Sequence, residues 1–260
     1  MAADMLNEDD IRRYARHIVL PEMGGVGQAR LKAASVLVIG AGGLGSPVLL
    51  YLAAAGVGRI GVVDDDHVDV SNLQRQILFS TSTQGNSKAA AAAVALRRLN
   101  PLVTVDVHAS HLDAGNAAGL IAGYDLVADG SDNLATRLAV HDACRALGRT
   151  LVSAAVQGLD GQLTTYKAHL GAPHPCLRCL VDPATGDDAL PSCAQAGVLG
   201  PVAGVLGTLQ AVEVVKELAG IGESLSGTIL LYDAGAATFD RVRVRRRATC
   251  AGMICANLGP

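Results

Sequence analysis

The residues in this chain best suited to chemistry belong to a glycine-rich loop between two apolar runs. An aliphatic run at 34–39 precedes the loop, an Ala/Leu-rich run at 47–55 follows it, and its glycines are Gly40, Gly42, Gly43 and Gly45. Glycine lets the backbone approach a phosphate closely, and the amides that begin the following helix meet the phosphate charge. This G-x-G-x-x-G pattern predicts a nucleotide phosphate site without indicating which nucleotide chemistry it serves.

Charged residues after the loop suit a polyphosphate better than a nicotinamide. Asp64 follows the second predicted strand, nineteen residues beyond the last glycine, where an acid accepts hydrogen bonds from ribose hydroxyls. Its neighbours Asp65 and Asp66 are interpreted as solvated turn residues. Arg75 and Lys88 are cations that a hydride-transfer site does not need. Lys88 begins a predicted helix, where its charge opposes the helix dipole, so either an anion lies beside it or it is a solvated surface lysine.

Asp132 and Asn133 follow a short predicted strand at 126–129. Ligands collect at the carboxyl ends of parallel strands. A carboxylate beside phosphates is best explained as a Mg²⁺ ligand, because it would otherwise repel them. The seven histidines show no i,i+4 metal-binding pattern and are interpreted as surface or packing residues.

Composition excludes several classes of protein. The net charge of −3 and the isoelectric point of about 6.1 give no field that attracts nucleic acid. Trp is absent and only two Phe and five Tyr are present, which argues against a surface that stacks bases. The acidic N-terminus and the lack of a run of roughly 18 apolar residues argue against a signal peptide and a membrane span. Six cysteines then indicate a metal site and reduced thiols in the cytoplasm, not a disulfide framework.

The elements that must position these residues alternate between helix and strand. Helices are predicted at 8–20, 47–55, 87–99, 135–147 and 206–219, and a Gly-rich turn is predicted at 24–27. Strands are predicted at 36–39, 59–63, 102–107, 126–129, 161–166, 228–232 and 241–245. The first half favours parallel strands and the second half antiparallel ones. We expect an α/β, Rossmann-like fold, a mostly parallel sheet that continues into an antiparallel portion with helices on both faces.

Together the motifs resemble the ThiF/MoeB/HesA family, the bacterial relatives of ubiquitin-activating enzymes. The resemblance covers nearly the whole chain and rests on residues 13–20, 40–45, 71–76, 131–133, 175–179, 193–198 and 207–211. It implies an enzyme that uses Mg-ATP to adenylate the C-terminal Gly-Gly carboxylate of a ubiquitin-like sulfur carrier protein, releasing pyrophosphate. The residues at 64–79 and 131–147 are somewhat more similar to thiamine-pathway members than to molybdopterin-pathway ones.

The resemblance also implies a role for each site residue. Arg75 and Lys88 contact phosphates, Asp132 binds Mg²⁺ and Asp64 binds ribose. The other expected nucleotide-binding positions are the four loop glycines, Ser71, Asn72, Gln74 and Asn133. Arg16 is expected to enter the ATP site of the neighbouring subunit in a homodimer, whereas helical patterning alone places it on a solvated helix face.

Cysteines carry the remaining predictions. Cys176 and Cys179 have the two-residue spacing of a zinc-binding turn, and the resemblance pairs them with Cys250 and Cys255, which are separated by four residues. A closed structural Zn²⁺ site is expected, and two unrelated pairs of thiols are the alternative. Cys193 ends a loop-like stretch. It either forms a thioester or acyl-disulfide with the carrier, as its counterpart does in some relatives, or is an inert thiol.

One E1-like adenylation domain is expected over residues 1–260. Its parts are an N-terminal helix at 1–30, a nucleotide-binding half at 31–150, and a carrier-binding half with the zinc segment at 151–260. Sulfur is expected to arrive from another protein, a desulfurase or a rhodanese.

Two alternative functions stay open at this point. An NAD-dependent Rossmann oxidoreductase explains the glycine loop and Asp64, but it leaves Arg75, Lys88 and Asp132 without a purpose. A non-catalytic scaffold that docks a ubiquitin-like protein does not need this charged set at all.

Overall fold

A computed structural model describes residues 6–181 and 197–251, which form one eight-stranded sheet flanked by helices. The strands are β1 (Ser35–Ile39), β2 (Arg59–Val63), β3 (Thr104–His108), β4 (Leu126–Asp129), β5 (Thr150–Gln157), β6 (Asp160–Tyr166), β7 (Thr228–Asp233) and β8 (Thr238–Arg243). The helices are α1 (Glu8–Ile18), α2 (Gly24–Ala33), α3 (Gly45–Ala55), α4 (Lys88–Leu99), α5 (Ala117–Ile121), α6 (Leu134–Ala146) and α7 (Gly200–Ala219).

The sheet changes from parallel to antiparallel partway along. Its order is β3-β2-β1-β4-β5-β6-β7-β8, and pairing is parallel from β3 to β5 and antiparallel from β5 to β8. The predicted fold class is confirmed. Because β1 and β4 are neighbours while their crossovers leave in opposite directions, their carboxyl ends form the crevice in which such sheets bind ligands.

The parallel strands are aliphatic because both faces of the sheet are covered. In β1, Val36 and Val38 belong to a core that includes residues of α2, α3, α4 and α7. Leu37 and Ile39 belong to the opposite core, with residues of α5 and α6. Burial on both faces selects continuous Val, Leu and Ile instead of an alternating pattern.

The antiparallel strands are less buried. Leu163 and Thr165 of β6 are buried, but β8 is exposed along its whole length. Phe239 of β8 stacks on Tyr232 of β7, with 4.5 Å between ring centroids. This end of the sheet therefore presents an open edge strand.

Helix α7 packs closely against backbone atoms near β5, where strand pairing changes from parallel to antiparallel. A Cβ on Gly207 would lie 2.4 Å from the Leu44 carbonyl oxygen, so only glycine allows this approach. Further along the helix, the buried Gln210 side chain donates hydrogen bonds to the carbonyls of Asp129 (2.9 Å) and Val152 (3.0 Å). The helix thus fixes β4 and β5 relative to the glycine loop.

The structure differs from the local predictions in several places. Residues 24–27 do not form a turn but begin α2, because Gln28 and Leu31 are buried and Gly27 lies against the Met23 side chain. Tertiary packing overrides the low helix propensity of glycine here. Helix α7 begins at Gly200 instead of 206, and the short helix α5 was not predicted.

Within the described ranges, no helix combines the length and the hydropathy needed to cross a membrane.

Candidate active site

A cleft of about 930 Å³ opens at the carboxyl ends of β1, β2 and β4 and continues over β5, β6 and β7. Residues at its first end include Gly40, Gly43, Asp64, Arg75 and Asp132. Its other end is lined by Ser153, Gln157, Asp160, Gln162, Thr164, Tyr166, Ile229 and Leu231. The structure therefore brings these five predicted nucleotide residues to one end of a longer channel.

The glycine loop turns tightly between β1 and α3. Gly40 has φ of +83°, a left-handed conformation that suits glycine, and its amide donates to the Val63 carbonyl at 2.8 Å. A Cβ on Gly45 would lie 1.8 Å from the Gly40 carbonyl oxygen. The first and last glycines thus allow the loop to turn tightly, and Gly40 and Gly43 line the cleft.

Asp64 fastens the loop to the end of β2. Its carboxylate accepts hydrogen bonds from the amides of Ala41 (2.7 Å) and Asp66 (3.0 Å). Burial raises the pKa of Asp64 above its ordinary value of 3.8, although these hydrogen bonds and the charge of Lys88 act in the opposite direction. The residue lines the cleft where the spacing predicted a ribose ligand.

The crossover after β2 carries Arg75. A short 3₁₀ turn at Val70–Asn72 is capped by Asp69, and hydrogen bonds from Ser71 lower the pKa of Asp69. The Arg75 guanidinium donates to the Ser71 carbonyl at 3.1 Å. The aliphatic part of the Arg75 side chain packs on Gly43, because a Cβ on that glycine would lie 3.5 Å from it. Ser71 and Asn72 therefore shape the turn behind Arg75 and do not line the cleft themselves.

Two further residues of the crossover have distinct roles. A Cβ on Gly200 would lie 2.3 Å from the Gln74 carbonyl oxygen, so Gln74 supplies a backbone contact to the start of α7. Gln76 is buried and lines the cleft, and its Oε1 atom has no hydrogen-bond partner within the described ranges. Sequence reasoning did not select Gln76, although it lies in the same motif as Arg75.

Lys88 is the first residue of α4, and its side chain is only 6% exposed. Its ammonium group donates to the Asp66 carboxylate at 2.8 Å. Asp66 is exposed as predicted, but it also supplies the anion that this helix position requires. Asp65, also exposed, lies 3.2 Å from His111.

Asp132 and Asn133 lie at the start of α6. The Asn133 side chain accepts a hydrogen bond from the Thr136 amide at 2.8 Å and so caps the helix. Asp132 is exposed at the cleft, and its carboxylate has no hydrogen-bond partner among the residues that the structure describes. Nearby, the hydroxyl of Ser131 is buried without a partner in the same ranges.

Arg137 is a cleft residue that sequence reasoning missed. Its Nη2 atom donates to the Ser131 carbonyl and to the Ala154 carbonyl, the latter at 2.9 Å, and so ties the loop before α6 to β5. The sequence feature that indicates Arg137 is its position four residues after Asn133, which places it one helical turn along on the same side of α6.

Three cysteines meet beside the far end of the cleft. The Sγ atom of Cys176 lies 3.6 Å from that of Cys179 and 3.3 Å from that of Cys250, and all three residues are buried. Burial disfavours the Cys179 thiolate, but hydrogen bonds from the Arg247 amide and the neighbouring cysteines outweigh it and lower the pKa of Cys179. The structure thus places Cys250 beside the first pair, which the resemblance had paired with it, and these three thiols could hold a metal ion.

One predicted site residue lies away from the cleft, on the first helix of the chain. Arg16 lies on the exposed face of α1 and does not line the cleft described above. Cys193 and Cys255 lie outside the described residues.

The ThiF family sequence model matches residues 14–252. The chain belongs to the ThiF family. Among its relatives, the sulfur carrier protein adenylyltransferase of Thermus thermophilus is 48% identical over 245 residues, which cover 94% of this chain and 90% of that protein. The adenylyltransferase and sulfurtransferase MOCS3 of Bos taurus is 52% identical over 93% of this chain and 52% of that protein. This ThiF-family chain thus spans about half the length of the MOCS3 proteins it matches.

Solved structures show the same fold. The crystal structure of E. coli MccB with ATP has a TM-score of 0.81 and 21% sequence identity, covering 94% of this chain and 75% of that one. The crystal structure of PaaA has a TM-score of 0.79 at 21% identity, covering 94% and 76%. At this level of identity the likeness concerns the arrangement of elements.

Proposed function

We propose that this chain is an ATP-dependent adenylyltransferase that activates the C-terminal carboxylate of a ubiquitin-like sulfur carrier protein as an acyl-adenylate. The observation that carries the proposal is the continuous cleft, which joins a nucleotide end to a channel over β5–β7. A reaction between ATP and the end of a polypeptide needs both parts in one space. The relatives from Thermus thermophilus and the MOCS3 proteins, named as adenylyltransferases, support the same activity.

The residues at the nucleotide end suit this reaction. A terminal carboxylate is already ionised near neutral pH, so its attack on the α-phosphorus needs no strong base. The obstacle is the approach of an anion to a polyanion, with further negative charge forming on the leaving pyrophosphate. Arg75 lines the cleft as a fixed cation, and we assign it and Lys88 to the phosphates. Asp64, beside the loop glycines, is assigned to the ribose.

Magnesium fits the Asp132 position. An exposed carboxylate at the cleft, without a partner among the described residues, suits a cation that retains several waters. Mg²⁺ bound there would neutralise phosphate charge during the reaction. Asn133 holds the start of α6 in place, and Arg137 holds the preceding loop on β5.

The far end of the cleft suits an extended, uncharged peptide. Ser153, Gln162 and Thr164 offer polar side chains along the channel. Gly161 also lines the channel and, having no side chain, does not narrow it. A Gly-Gly tail is thin enough to pass along such a channel toward the α-phosphate. We propose that the carrier serves thiamine or molybdopterin synthesis and that a desulfurase or a rhodanese donates the sulfur.

Zinc fits the cysteine cluster. Tetrahedral Zn²⁺ with Zn–S bonds of about 2.3 Å places its sulfur ligands about 3.8 Å apart. The distances of 3.6 and 3.3 Å from Cys176 to Cys179 and Cys250 are close to this value. We propose that these three residues and Cys255 hold a structural Zn²⁺ ion, which would fasten the C-terminal segment to the second half of the chain.

Cys193 is proposed to act after adenylation: its thiolate would attack the carbonyl carbon of the acyl-adenylate, form a thioester with the carrier and release AMP. Replacing it with Ser should leave ATP–pyrophosphate exchange unchanged and abolish only transfer of sulfur to the carrier. Exchange measured alongside carrier thiocarboxylate by mass spectrometry separates the two steps. Loss of exchange would show that the residue shapes the adenylation site instead.

The central experiment is ATP–pyrophosphate exchange with a panel of purified carrier proteins ending in Gly-Gly, taken from the thiamine and molybdopterin pathways. Exchange should depend on one carrier and should disappear when its last glycine is deleted. The carrier that supports exchange identifies the pathway. Failure of every carrier, together with reduction of bound NAD(P), would favour the oxidoreductase alternative.

A further inference from the structure

Asp66 lies between Lys88 and the open cleft. It lines the cleft with a side chain that is 72% exposed, whereas the Lys88 side chain is 6% exposed and is not among the cleft-lining residues of the described ranges. In these ranges, the ammonium group's only hydrogen bond to a cleft residue is therefore the one to the Asp66 carboxylate, 2.8 Å away.

The pair is held by its backbone as well as by its charges. The Lys88 amide donates to the Asp66 carbonyl at 2.9 Å, and the Val68 amide donates to the Asn86 carbonyl at 2.9 Å. The Asp66 amide in turn donates to the Asp64 carboxylate. Asp66 is thus fixed beside Lys88, and its carboxylate faces a cleft that also contains Asp64 and Asp65.

A buried ammonium at the first position of a helix needs an anion, because burial and the helix dipole both disfavour its charge. An incoming phosphate satisfies the same need. Two anions beside one ammonium repel each other, and Asp64 already adds negative charge at this edge. Asp66 and a nucleotide phosphate therefore compete for Lys88.

We propose that Asp66 is the resident counter-ion of Lys88, and that a phosphate of the nucleotide takes its place on binding. The inference rests on the proposed function, since it assumes that Lys88 contacts phosphate. Asp66 acts through Lys88 as a positioning residue. It holds the ammonium in place without nucleotide, and it makes tight binding depend on a ligand anionic enough to displace it.

Asp65→Asn is the matched control for Asp66→Asn. Both carboxylates line the same cleft and are adjacent in the chain, but Asp65 lies against the exposed His111 and not against Lys88. Each substitution removes one negative charge from the cleft, so the difference between them isolates the contact with Lys88.

Binding of ATP and of adenosine is measured by calorimetry at fixed Mg²⁺ for the wild type and both variants. Asp66→Asn should bind ATP up to about fivefold more tightly than Asp65→Asn does, the size expected for a partly exposed charge pair. Adenosine, which has no phosphate to reach Lys88, should bind all three proteins equally. Raising the salt concentration should shrink the difference for ATP.

Thermal unfolding gives a second readout that a purely structural role would not produce. Without nucleotide, Asp66→Asn should melt below Asp65→Asn, and saturating ATP should raise its melting temperature by more. In a Lys88→Met background the difference between the two Asn variants should vanish. Asp66→Ser serves in place of Asp66→Asn if the latter does not fold.

The outcomes separate this inference from the proposed function. If the wild type binds no ATP, the proposed function is wrong. If the wild type binds ATP but Asp66→Asn binds it no more tightly than Asp65→Asn, or more weakly, then Asp66 is not a competitor for Lys88 and only this inference is overturned.

Discussion

The parallel and antiparallel halves of the sheet line their ends of the cleft with different kinds of groups. At the nucleotide end, backbone groups of short loops are held by hydrogen bonds, such as those that Asp64 accepts from Ala41 and that Asn133 accepts from Thr136. At the other end, the walls are side chains of β5–β7 and residues that follow Cys176. The first end is thus shaped by hydrogen bonds to loop backbone, whereas the second is shaped by packed side chains, with the cysteine cluster beside it.

The contrast predicts the largest loss of activity from a single cation in the nucleotide half. Arg75→Ala should lower ATP–pyrophosphate exchange roughly 100-fold, because it removes a fixed positive charge from a site where negative charge develops. Arg98→Ala, on the exposed face of α4, is the control and should keep full exchange. Equal rates for the two variants would remove Arg75 from the catalytic set.

A second prediction asks whether the nucleotide end is complete within one chain. Arg16→Ala and Lys88→Ala should each abolish exchange, and mixing them should restore about one quarter of wild-type activity, since half of the dimers are mixed and each has one intact site. Recovery requires that Arg16 acts from the neighbouring subunit. Mixed dimers shown by mass spectrometry to form, yet inactive, would contradict that arrangement.

The antiparallel half should respond to loss of a cross-link and not of a charge. Cys176→Ser should lose bound zinc, measured by elemental analysis, and melt several degrees lower, because metal affinity contributes to folding. Cys144→Ala, at a buried cysteine outside the cluster, should keep its zinc whatever its melting temperature. Full zinc content in Cys176→Ser would show that the cluster does not bind it.

The smallest predicted effect concerns pH. Burial raises the pKa of Asp64, so the folded chain binds this proton more readily than the unfolded chain does. As the pH falls from neutral toward the ordinary value of 3.8, this carboxyl should therefore stabilise the fold relative to neutral pH. Asp64→Asn cannot take up the proton, so the wild type should gain stability relative to the variant as the pH is lowered from neutral toward 3.8 in urea unfolding. A constant difference would contradict the raised pKa.

Sequence reasoning worked best where one residue type serves one physical need. The glycine loop, together with the aliphatic strands and the family motifs, predicted residues that line one end of the cleft. The family match confirms the resemblance. Sequence reasoning missed Arg137, whose hydrogen bond depends on β5 lying opposite it, and Gln76, which is buried beside Gly42 of the loop. It also treated Asp66 as an isolated turn residue, because the partner that it meets, Lys88, lies 22 residues away. The glycines at 24–27 misled it because burial of α2 outweighs local propensity.

Helix α7 sets a limit on how the cleft can move. It meets the glycine loop through Gly207, the Arg75 crossover through Gly200, and strands β4 and β5 through Gln210. One rigid rod is thereby attached to both ends of the channel, so the halves cannot swing apart as two lobes. Under the proposed function, entry of a polypeptide tail and release of pyrophosphate would then require rearrangement of surface loops over a fixed floor. The spacing between the two ends of the cleft is consequently set by a single helix.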